Sequence, residues 1–513
     1  MFHNAIAYQL FDKLTSNIKP HIKDKSFSVM GYSKIAVEKR LLQQFSLLEL
    51  CPFKNKAAKY SKNNIQKTIL DEDLIILKRF RYNVDTGDIS VNFSYYIKSL
   101  LKFLVRWQLL LFLHIRAIFV KNRDNRRTTL VYGVSISKKL ELEFINFCKY
   151  GPIVPLNNAT CLMIEKAGRK SLYEKGRIEY SNNLLHALVL RNGVSISEFL
   201  VFFIQHFKSA VLYFKSIVNY PLMAILDDDF SYHALVSSLN NRYAIENILI
   251  TNSNISIQPL WMADLYQKKY SLHMAWYSQN APFSFVYKCD GVTSVEIRYR
   301  DIRVDETWTW TKYFSNHLKS LGTPGVFHDV GPILWYLPPK NIPIKNKDYI
   351  NISVFDVTPI KRDVLDDIGY SDSYVYYSFE NMSKFIQDII YVAKILEELS
   401  GKLVTISLKH KRKLLPQHDI RYLNLIKSFS EDTNDISIIH PDENLYSLVS
   451  NSDVVINYPY TSTAYIADYM NIPAIYYDPV QKLIPVYEES EGIMFSSGKD
   501  DLLSELNNIF PSK

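Results

Sequence analysis

The sequence has few cysteines and lacks the common signatures of metal, redox and phosphate-binding sites. Four cysteines are spread over 513 residues without a Cys-x-x-Cys pair. Neither a zinc site nor a disulfide framework is therefore predicted, and a reducing compartment fits best. The glycine-rich Walker loop and its lysine are missing. No zinc finger, RNP-type aromatic motif or long basic run occurs, and the net charge is only +8, so no nucleic-acid partner is expected.

Segments that address or anchor a protein to a membrane are also lacking. Residues 1–19 do not show the basic-then-apolar order of a secretory signal. The most apolar stretch, residues 95–121, is interrupted by Arg106, His114 and Arg116, so no transmembrane span is expected. Its cations Lys98, Lys102, Arg106 and Arg116 fall within ~80° of one another on a helix.

Two interpretations of residues 95–121 remain open. A helix buried against its own domain is favoured, because a wide apolar face is ordinary for a core helix. The alternative is a helix lying in the interface of an anionic membrane. We therefore expect a cytoplasmic protein, located at the inner face of the cytoplasmic membrane if the second interpretation holds.

The composition is that of a globular protein, with 47% hydrophobic and 22% charged residues. At ~150 residues a domain, the length predicts about three domains. Residues 1–125 are predicted to be mainly helical and are basic. Residues 126–335 and 336–513 each read as an α/β unit, because apolar strand-length runs alternate with helical patterns in both. The Gly- and Pro-rich residues 330–339 mark the boundary between them.

Residues 452–479 predict a strand, a hydroxyl-rich turn, a helix and a second strand, which is a βαβ unit. The turn follows the carboxyl end of a strand, where open α/β sheets bind ligands. Its candidate binding residues are Pro459, Thr461, Ser462 and Thr463. With the free amides of a helix N-terminus, three hydroxyls form a cup that suits a phosphate. The alternative is that Thr461 or Ser462 only caps the helix.

A basic loop follows another predicted strand of the same unit. After residues 403–408 the sequence continues with Lys409, His410, Lys411 and Arg412. Such loops are often merely solvated. Because this one shares a sheet with the hydroxyl turn, we favour a joint phosphate site, in which charged donors bind phosphate oxygens strongly.

Carboxylates are the candidate catalytic groups of the first α/β unit. Residues 221–226 are predicted to form an apolar strand that ends in Asp227, Asp228 and Asp229. Like charges raise one another's pKa, which suits a general base or a nucleophile. The alternative is a solvated loop whose aspartates cap the next helix. Glu165 follows a second predicted strand, residues 161–164.

A mixture of imidazole, amide and aromatic side chains follows in the same unit. It comprises His273, Trp276, Tyr277, Ser278 and Asn280, with Gln258 a little earlier. Rings stack on the apolar faces of sugars and amides bind hydroxyls, so the mixture favours a sugar site. A lone histidine is more often structural than catalytic, and these neighbours make that preference smaller for His273.

Two Rossmann-like units joined by a Gly/Pro linker resemble the GT-B glycosyltransferases. Residues 408–412, 452–456, 459–463 and 475–479 resemble the donor-binding half of bacterial surface-polysaccharide transferases. The basic loop and the Thr-Ser-Thr turn are similar to the His-Pro and Ser/Thr motifs of CMP-sugar enzymes, including sialyltransferases and Kdo transferases. Lys411 departs from that pattern, because it stands where proline would follow His410.

The resemblance implies an α/β fold of GT-B type, with two Rossmann-like domains facing a cleft and an N-terminal mainly helical region. It implies a glycosyltransferase that moves a sugar, such as the CMP-activated ulosonic acid Kdo, onto a bacterial surface polysaccharide or lipopolysaccharide. The expected partners are a nucleotide-sugar donor and a glycan or lipid-linked glycan acceptor. Alternatives are a UDP-hexose-dependent enzyme and a non-catalytic partner in a polysaccharide assembly complex.

The resemblance also implies roles for the candidate residues. The basic loop and the hydroxyl turn would hold the phosphate, so neither a metal nor another cofactor is expected. One of Asp227, Asp228, Asp229 or Glu165 would serve as base or nucleophile. His273 would contact the sugar or the leaving group.

Overall fold

The computed structural model describes most of the chain beyond residue 92 and a few earlier positions. The described residues are 30, 32, 36, 37, 40, 93–121, 126–134, 136, 140–157, 160–164, 178–219, 221–251, 258–263, 268–278, 302–320, 322–339, 348–367, 374–410, 417–432, 436–440, 443–483 and 492–511.

The first α/β unit is built on a seven-stranded sheet, within the described residues, in which every neighbouring pair is parallel. The spatial order is β3-β2-β1-β4-β5-β6-β7, which is that of a Rossmann-like sheet. Its strands are β1 (Thr128–Val131), β2 (Thr160–Ile164), β3 (Ile178–Ser181), β4 (Ile245–Thr251), β5 (Ser271–Ala275), β6 (Glu306–Thr309) and β7 (Val326–Asp329). The strand predicted at residues 161–164 is confirmed, and its apolar run reflects burial on both faces.

Helices cover this sheet, and the longest two precede the central strand β4 in sequence. They are α1 (Phe93–Ile118), α2 (Glu141–Tyr150), α3 (Leu184–Asn192), α4 (Ile196–Asn219), α5 (Asp227–Asn241), α6 (Leu260–Ala263) and α7 (Lys312–Ser320). Helices α1 and α4 run antiparallel, because the Phe103 ring stacks on Tyr213 at 4.0 Å and the His114 ring on Phe202 at 3.4 Å. The helix predicted near residues 95–121 is confirmed. None of the helices in the described part of the chain combines the length and hydropathy needed to cross a bilayer.

The strand predicted at residues 221–226 is wrong. Pro221–Leu226 is a 3₁₀ helix, and Asp227, Asp228 and Asp229 form the first turn of α5. A six-residue apolar run does not distinguish a strand from a buried helical segment by its periodicity. Carboxylates in a first turn are favourable next to the positive end of the helix dipole. The alternative of a solvated loop with capping aspartates is also wrong in part, because Asp227 and Asp229 are buried and the N-cap position is Leu226.

The second α/β unit has a six-stranded sheet in the described residues, again with only parallel neighbours. The spatial order is β10-β9-β8-β11-β12-β13. Its strands are β8 (Tyr349–Phe355), β9 (Leu403–Lys409), β10 (Ile436–Ile439), β11 (Val454–Asn457), β12 (Ala474–Asp478) and β13 (Ile493–Ser497). Its helices are α8 (Arg362–Asp367), α9 (Tyr374–Tyr377), α10 (Phe379–Ser400), α11 (Ile420–Asp432), α12 (Leu445–Ser450), α13 (Thr463–Tyr469) and α14 (Lys499–Ile509).

The segment between the two sheets packs against both units. Trp335 lies edge-on to Phe147 of α2, with ring centroids 5.6 Å apart. On the other side, the Tyr446 hydroxyl of α12 donates to the carbonyl of Pro332 at 3.0 Å. The Tyr336 hydroxyl accepts from the backbone N–H at the start of α12, also at 3.0 Å. The chain thus has the predicted α/β fold of GT-B type, with two Rossmann-like sheets joined by a packed linker.

Candidate active site at the carboxyl edge of the second sheet

The carboxyl ends of three adjacent strands meet at the centre of the second sheet. Strand β8 lies between β9 and β11, and the chain order reverses between β8 and β11. Such a switch point leaves a crevice outside the strand ends, where ligands bind in open α/β sheets. Neighbouring strands lie ~4.8 Å apart, so the loops after β9 and β11 are separated by roughly 10 Å.

A buried carboxylate and an imidazole pair at this switch point. Asp356 directly follows β8, and His410 directly follows β9. Nδ1 of His410 lies 2.8 Å from Oδ2 of Asp356. The Tyr422 hydroxyl of α11 donates to the same carboxylate oxygen. The pair is shielded from water, since Asp356 is 1% exposed and His410 6%.

The environment fixes the direction of these hydrogen bonds. Burial, and to a lesser degree the Asp356 charge, raise the pKa of Tyr422 well above its usual value, so the phenol remains a donor. The carboxylate accepts the Nδ1 proton of His410. This leaves Nε2 as the ring nitrogen for a ligand, as a base when the ring is neutral and as a donor when it is protonated.

The hydroxyl turn after β11 has one side chain whose hydroxyl is not used by the fold. The Thr461 hydroxyl donates to the Tyr458 carbonyl at 2.9 Å, and the Thr463 hydroxyl donates to Asn457 Oδ1 at 2.5 Å. Ser462 occupies the N-cap position of α13, but its side chain makes no capping hydrogen bond. Ser462 is half-buried. Of the three predicted hydroxyls, only that of Ser462 remains for a ligand.

Tyrosines hold the turn in place from both sides. The Tyr376 hydroxyl donates to the carbonyl of Pro459 at 2.8 Å. The Tyr476 hydroxyl of β12 donates to the carbonyl of Thr461 at 3.0 Å. Tyr460 itself has φ +61°, in the left-handed region that non-glycine residues seldom adopt. A strained residue held by surrounding hydrogen bonds is typical of a functional loop.

The basic loop is described only in part. Lys409 is the last residue of β9 and is buried. His410 has the geometry given above, whereas Lys411 and Arg412 lie outside the described residues. The structure thus brings His410, Lys409 and the residues of the hydroxyl turn to one edge of one sheet, as the sequence predicted.

The three aspartates of α5 are engaged with cations of other segments. Asp229 Oδ2 lies 3.2 Å from Arg40 Nε, and its Oδ1 accepts from the backbone N–H of Leu260 at 2.5 Å. Asp227 and Asp228 both pair with Arg106 of α1. Burial, aided by the neighbouring Asp228 charge, raises the pKa of Asp227 to about 6. These contacts tie α5 to the N-terminal region, and the strand end from which a catalytic role was predicted does not exist.

The first sheet carries a second polar cluster around His273. His273 Nε2 lies 3.2 Å from Asn247 Oδ1, and its Nδ1 lies 3.6 Å from the Glu306 carboxylate. Glu306 also pairs with His328 at 3.0 Å. Burial lowers the pKa of His273. The cluster borders a hollow of about 470 Å³, lined by Val154, Pro155, Asn157, Glu246, Asn247, Ser271, His273 and Glu306.

The other predicted sugar-binding side chains lie mostly within the fold. The Gln258 amide forms two hydrogen bonds with the backbone of Arg303, at 2.5 and 3.2 Å. Trp276 is 1% exposed and packs edge-on against Phe314. Tyr277 and Ser278 are half-buried. Glu165 and Asn280 lie outside the described residues, among which no group of three or more His, Cys, Asp or Glu is arranged for a metal ion.

Sequence analysis missed Asp356 and Tyr422 as site residues. Asp356 follows an apolar strand, which is the signal that was applied to residues 221–229 instead. Tyr422 carries no local signal, because it contacts Asp356 across 66 positions of the chain.

Residues 211–506 match the family described as "Polysaccharide biosynthesis PFTS motif protein". The matched region spans more than half of the chain and includes Asp356, His410 and the hydroxyl turn. The chain belongs to the PFTS-motif family of polysaccharide biosynthesis proteins.

Several solved structures are similar to this PFTS-motif protein in fold. The wall teichoic acid polymerase TagF is 13% identical, with a TM-score of 0.39, over 81% of this chain and 88% of that chain. A putative UDP-N-acetylglucosamine 2-epimerase from Listeria monocytogenes is 11% identical, with a TM-score of 0.37, over 75% and 87%. A glycosyltransferase from Rickettsia africae ESF-5 is 13% identical, with a TM-score of 0.35, over 75% and 89%. A search of curated protein sequences gives no significant match.

Proposed function

We propose that this protein is a glycosyltransferase of polysaccharide biosynthesis that binds its nucleotide-sugar donor at the carboxyl edge of the second sheet. The observation that carries the proposal is the buried Asp356–His410 pair at the switch point of that sheet. The chain's membership of a polysaccharide biosynthesis family supports a role for this pair in sugar transfer. A glycan or lipid-linked glycan is the proposed acceptor.

His410 and Ser462 are the proposed contacts of the donor phosphate. Asp356 fixes the imidazole ring, so Nε2 meets the ligand in a constant orientation. Ser462 offers an uncommitted hydroxyl on the far side of β8. In the transfer step, negative charge develops on the departing phosphate oxygen. A hydrogen-bond donor that the protein holds next to that oxygen stabilises this charge. Water would first have to reorient to do the same.

The proposed donor is a CMP-activated ulosonic acid such as Kdo, because the basic loop and the hydroxyl turn resemble those of CMP-sugar enzymes. A UDP-hexose is the second candidate. It is supported by the sheet order, in which the loops that carry His410 and Ser462 follow strands two positions apart, a spacing of roughly 10 Å in an ordinary sheet. Two anchors at that separation suit the two phosphates of a diphosphate better than the single phosphate of CMP. We propose that the basic loop, residues 409–412, neutralises these phosphates.

A ligand screen followed by a turnover assay tests the proposal. Melting temperatures are measured with CMP, UDP, GDP and their sugars, and donor hydrolysis is measured without acceptor. We expect one nucleotide to stabilise the wild type, and its sugar to be hydrolysed slowly. His410→Asn should abolish both effects. His317→Asn, at a similarly buried histidine of α7, should retain them. If no nucleotide or nucleotide sugar shifts the melting temperature, a non-catalytic partner protein becomes the better account.

A further inference from the structure

Helix α4 exposes large apolar side chains where a helix on the surface of a globular protein is usually polar. Its buried side combines Phe202, Tyr213 and Ile217 with the polar residues His206, Ser209 and Ser216. Its exposed side carries large apolar side chains, among them Ile196, Leu200, Ile204, Phe207, Val211 and Val218. Ile204 is 67% exposed and Val218 is 75% exposed. Between residues 196 and 218 this ridge is about 33 Å long, at 1.5 Å a residue.

Helix α1 continues the same kind of surface. It packs antiparallel to α4, and it exposes Leu101, Val105, Leu109 and Phe112 while Phe103 and Leu110 are buried. The largest apolar patch on an ordinary monomer is a few hundred Å² and is often functional. Two long neighbouring helices that both expose apolar side chains form a larger apolar patch than scattered surface residues would.

Most charged side chains that the two helices themselves carry are cations, while the neighbouring Asp228 of α5 is exposed and pairs with Arg106 of α1. The exposed cations of the two helices are Lys98, Lys102, Arg116, Lys208 and Lys215. Helix α1 contains no Asp or Glu. The one carboxylate of α4, Glu198, pairs with Arg242 at 3.1 Å. An apolar face bordered by lysine and arginine is the pattern of helices that lie in the interface of an anionic membrane.

We propose that the α1–α4 surface docks on an anionic lipid bilayer, with both helices lying in the plane of the interface. The apolar ridge enters the boundary between headgroups and acyl chains, and the cations contact the anionic headgroups. A second copy of the chain is a poorer occupant, because a two-fold contact would oppose identical cationic faces. This surface belongs to the first unit, so the proposal does not depend on the nucleotide site.

Co-sedimentation of the full chain with vesicles tests this docking. Vesicles of phosphatidylcholine alone are compared with vesicles that also contain phosphatidylglycerol. We expect binding to the anionic vesicles that weakens steeply as NaCl is raised, since salt screens exposed charges. No pelleting with either vesicle at low salt would overturn the proposal.

Neutral substitutions separate the apolar contribution from the charges. Each of Ile204→Gln and Phe207→Gln should lower the partition coefficient about tenfold, because one side chain less is buried in the interface. Ile420→Gln, at an isoleucine of α11 that is 58% exposed, should bind as the wild type does. Equal binding of the Ile204, Phe207 and Ile420 variants would contradict docking through α4.

Charge substitutions provide the second comparison. Each of Lys208→Gln and Lys215→Gln should lower binding to the anionic vesicles about fivefold, at ~1 kcal/mol for each lysine near the surface. Lys394→Gln on α10 should have no effect. Sedimentation without lipid gives the oligomeric state. If the wild type is a dimer that Ile204→Gln and Phe207→Gln dissociate, the surface is a contact between copies and the membrane proposal is wrong.

Discussion

The substitution Asp356→Asn tests the proposed site with the smallest change in shape. The wild-type carboxylate accepts from His410 Nδ1 at 2.8 Å and from the Tyr422 hydroxyl on the same oxygen. An asparagine oxygen in that place keeps both of these donors paired, so the substitution removes the charge while these two hydrogen bonds remain. A hydrogen bond to a charged group contributes ~1.5–3 kcal/mol, against ~1 kcal/mol for a neutral pair.

The structure therefore sets the expected size of the effect on stability. We expect a loss of about 1–2 kcal/mol in the free energy of unfolding for Asp356→Asn, from the difference between charged and neutral hydrogen bonds. Asp356→Ala should cost more, roughly 3–5 kcal/mol, because it leaves two buried donors unpaired and opens a cavity. Urea unfolding of the three proteins measures both differences.

Nucleotide binding shows whether the pair has a function beyond stability. We expect Asp356→Asn to weaken the nucleotide about tenfold or more in calorimetric titrations, because the His410 ring is no longer held by a charged acceptor. The control is Asp453→Asn, at the opposite end of the same sheet, where Oδ2 accepts from the backbone N–H of Asn351 at 2.9 Å. The control should lose stability and keep its affinity. Unchanged affinity in Asp356→Asn would refute the reasoning and leave the pair as a structural feature.

Two further predictions concern the first unit. Gly322 and Gly325 both have positive φ, but a Cβ at Gly322 meets nothing within 4 Å whereas one at Gly325 lies 2.6 Å from the carbonyl oxygen of Asp305. Gly322→Ala should cost ~1 kcal/mol and Gly325→Ala several kcal/mol more in urea unfolding, and equal costs would contradict the close approach. Burial lowers the pKa of His206 to about 4. The unfolded chain binds this proton between pH 6.5 and 4 and the folded protein does not, so stability falls as the pH drops through that range. In the variant His206→Gln, the loss of stability on acidification should be smaller by up to about 3 kcal/mol. Melting temperatures measured across this pH range follow the loss. A pH profile identical to that of the wild type would contradict burial of the neutral ring.

The strands were predictable where apolar, β-branched runs had the length of a buried strand. Val454–Asn457 and Tyr349–Phe355 are such runs, and both are central strands. Pro221–Leu226 has a similar run and forms a 3₁₀ helix, because hydrophobic content alone does not set the backbone conformation. The aspartates that follow it form ion pairs with Arg40 and Arg106, which are distant in sequence, so the local sequence does not indicate these contacts.

The loops of the candidate site were predictable from the sequence, but the pairing of His410 with Asp356 was not. His410 and Ser462 follow strands, and the parallel sheet necessarily brings their loops to one edge. The hydrogen bond between His410 and Asp356 joins residues 54 positions apart, and nothing in the local sequence of either residue indicates the other. The use of Thr461 and Thr463 within the turn, which leaves Ser462 for a ligand, also depends on contacts that only the folded chain shows.

The central claim is that His410 and Ser462 hold the donor phosphate together. Calorimetric titration of the wild type, His410→Asn, Ser462→Ala and the double variant, with the nucleotide that the screen selects, tests it most directly. Each single variant should lose about 1.5–3 kcal/mol of binding free energy, and the double variant should lose less than the sum if both contact one phosphate group. Wild-type affinity in both single variants would contradict the account and place the nucleotide elsewhere in the protein.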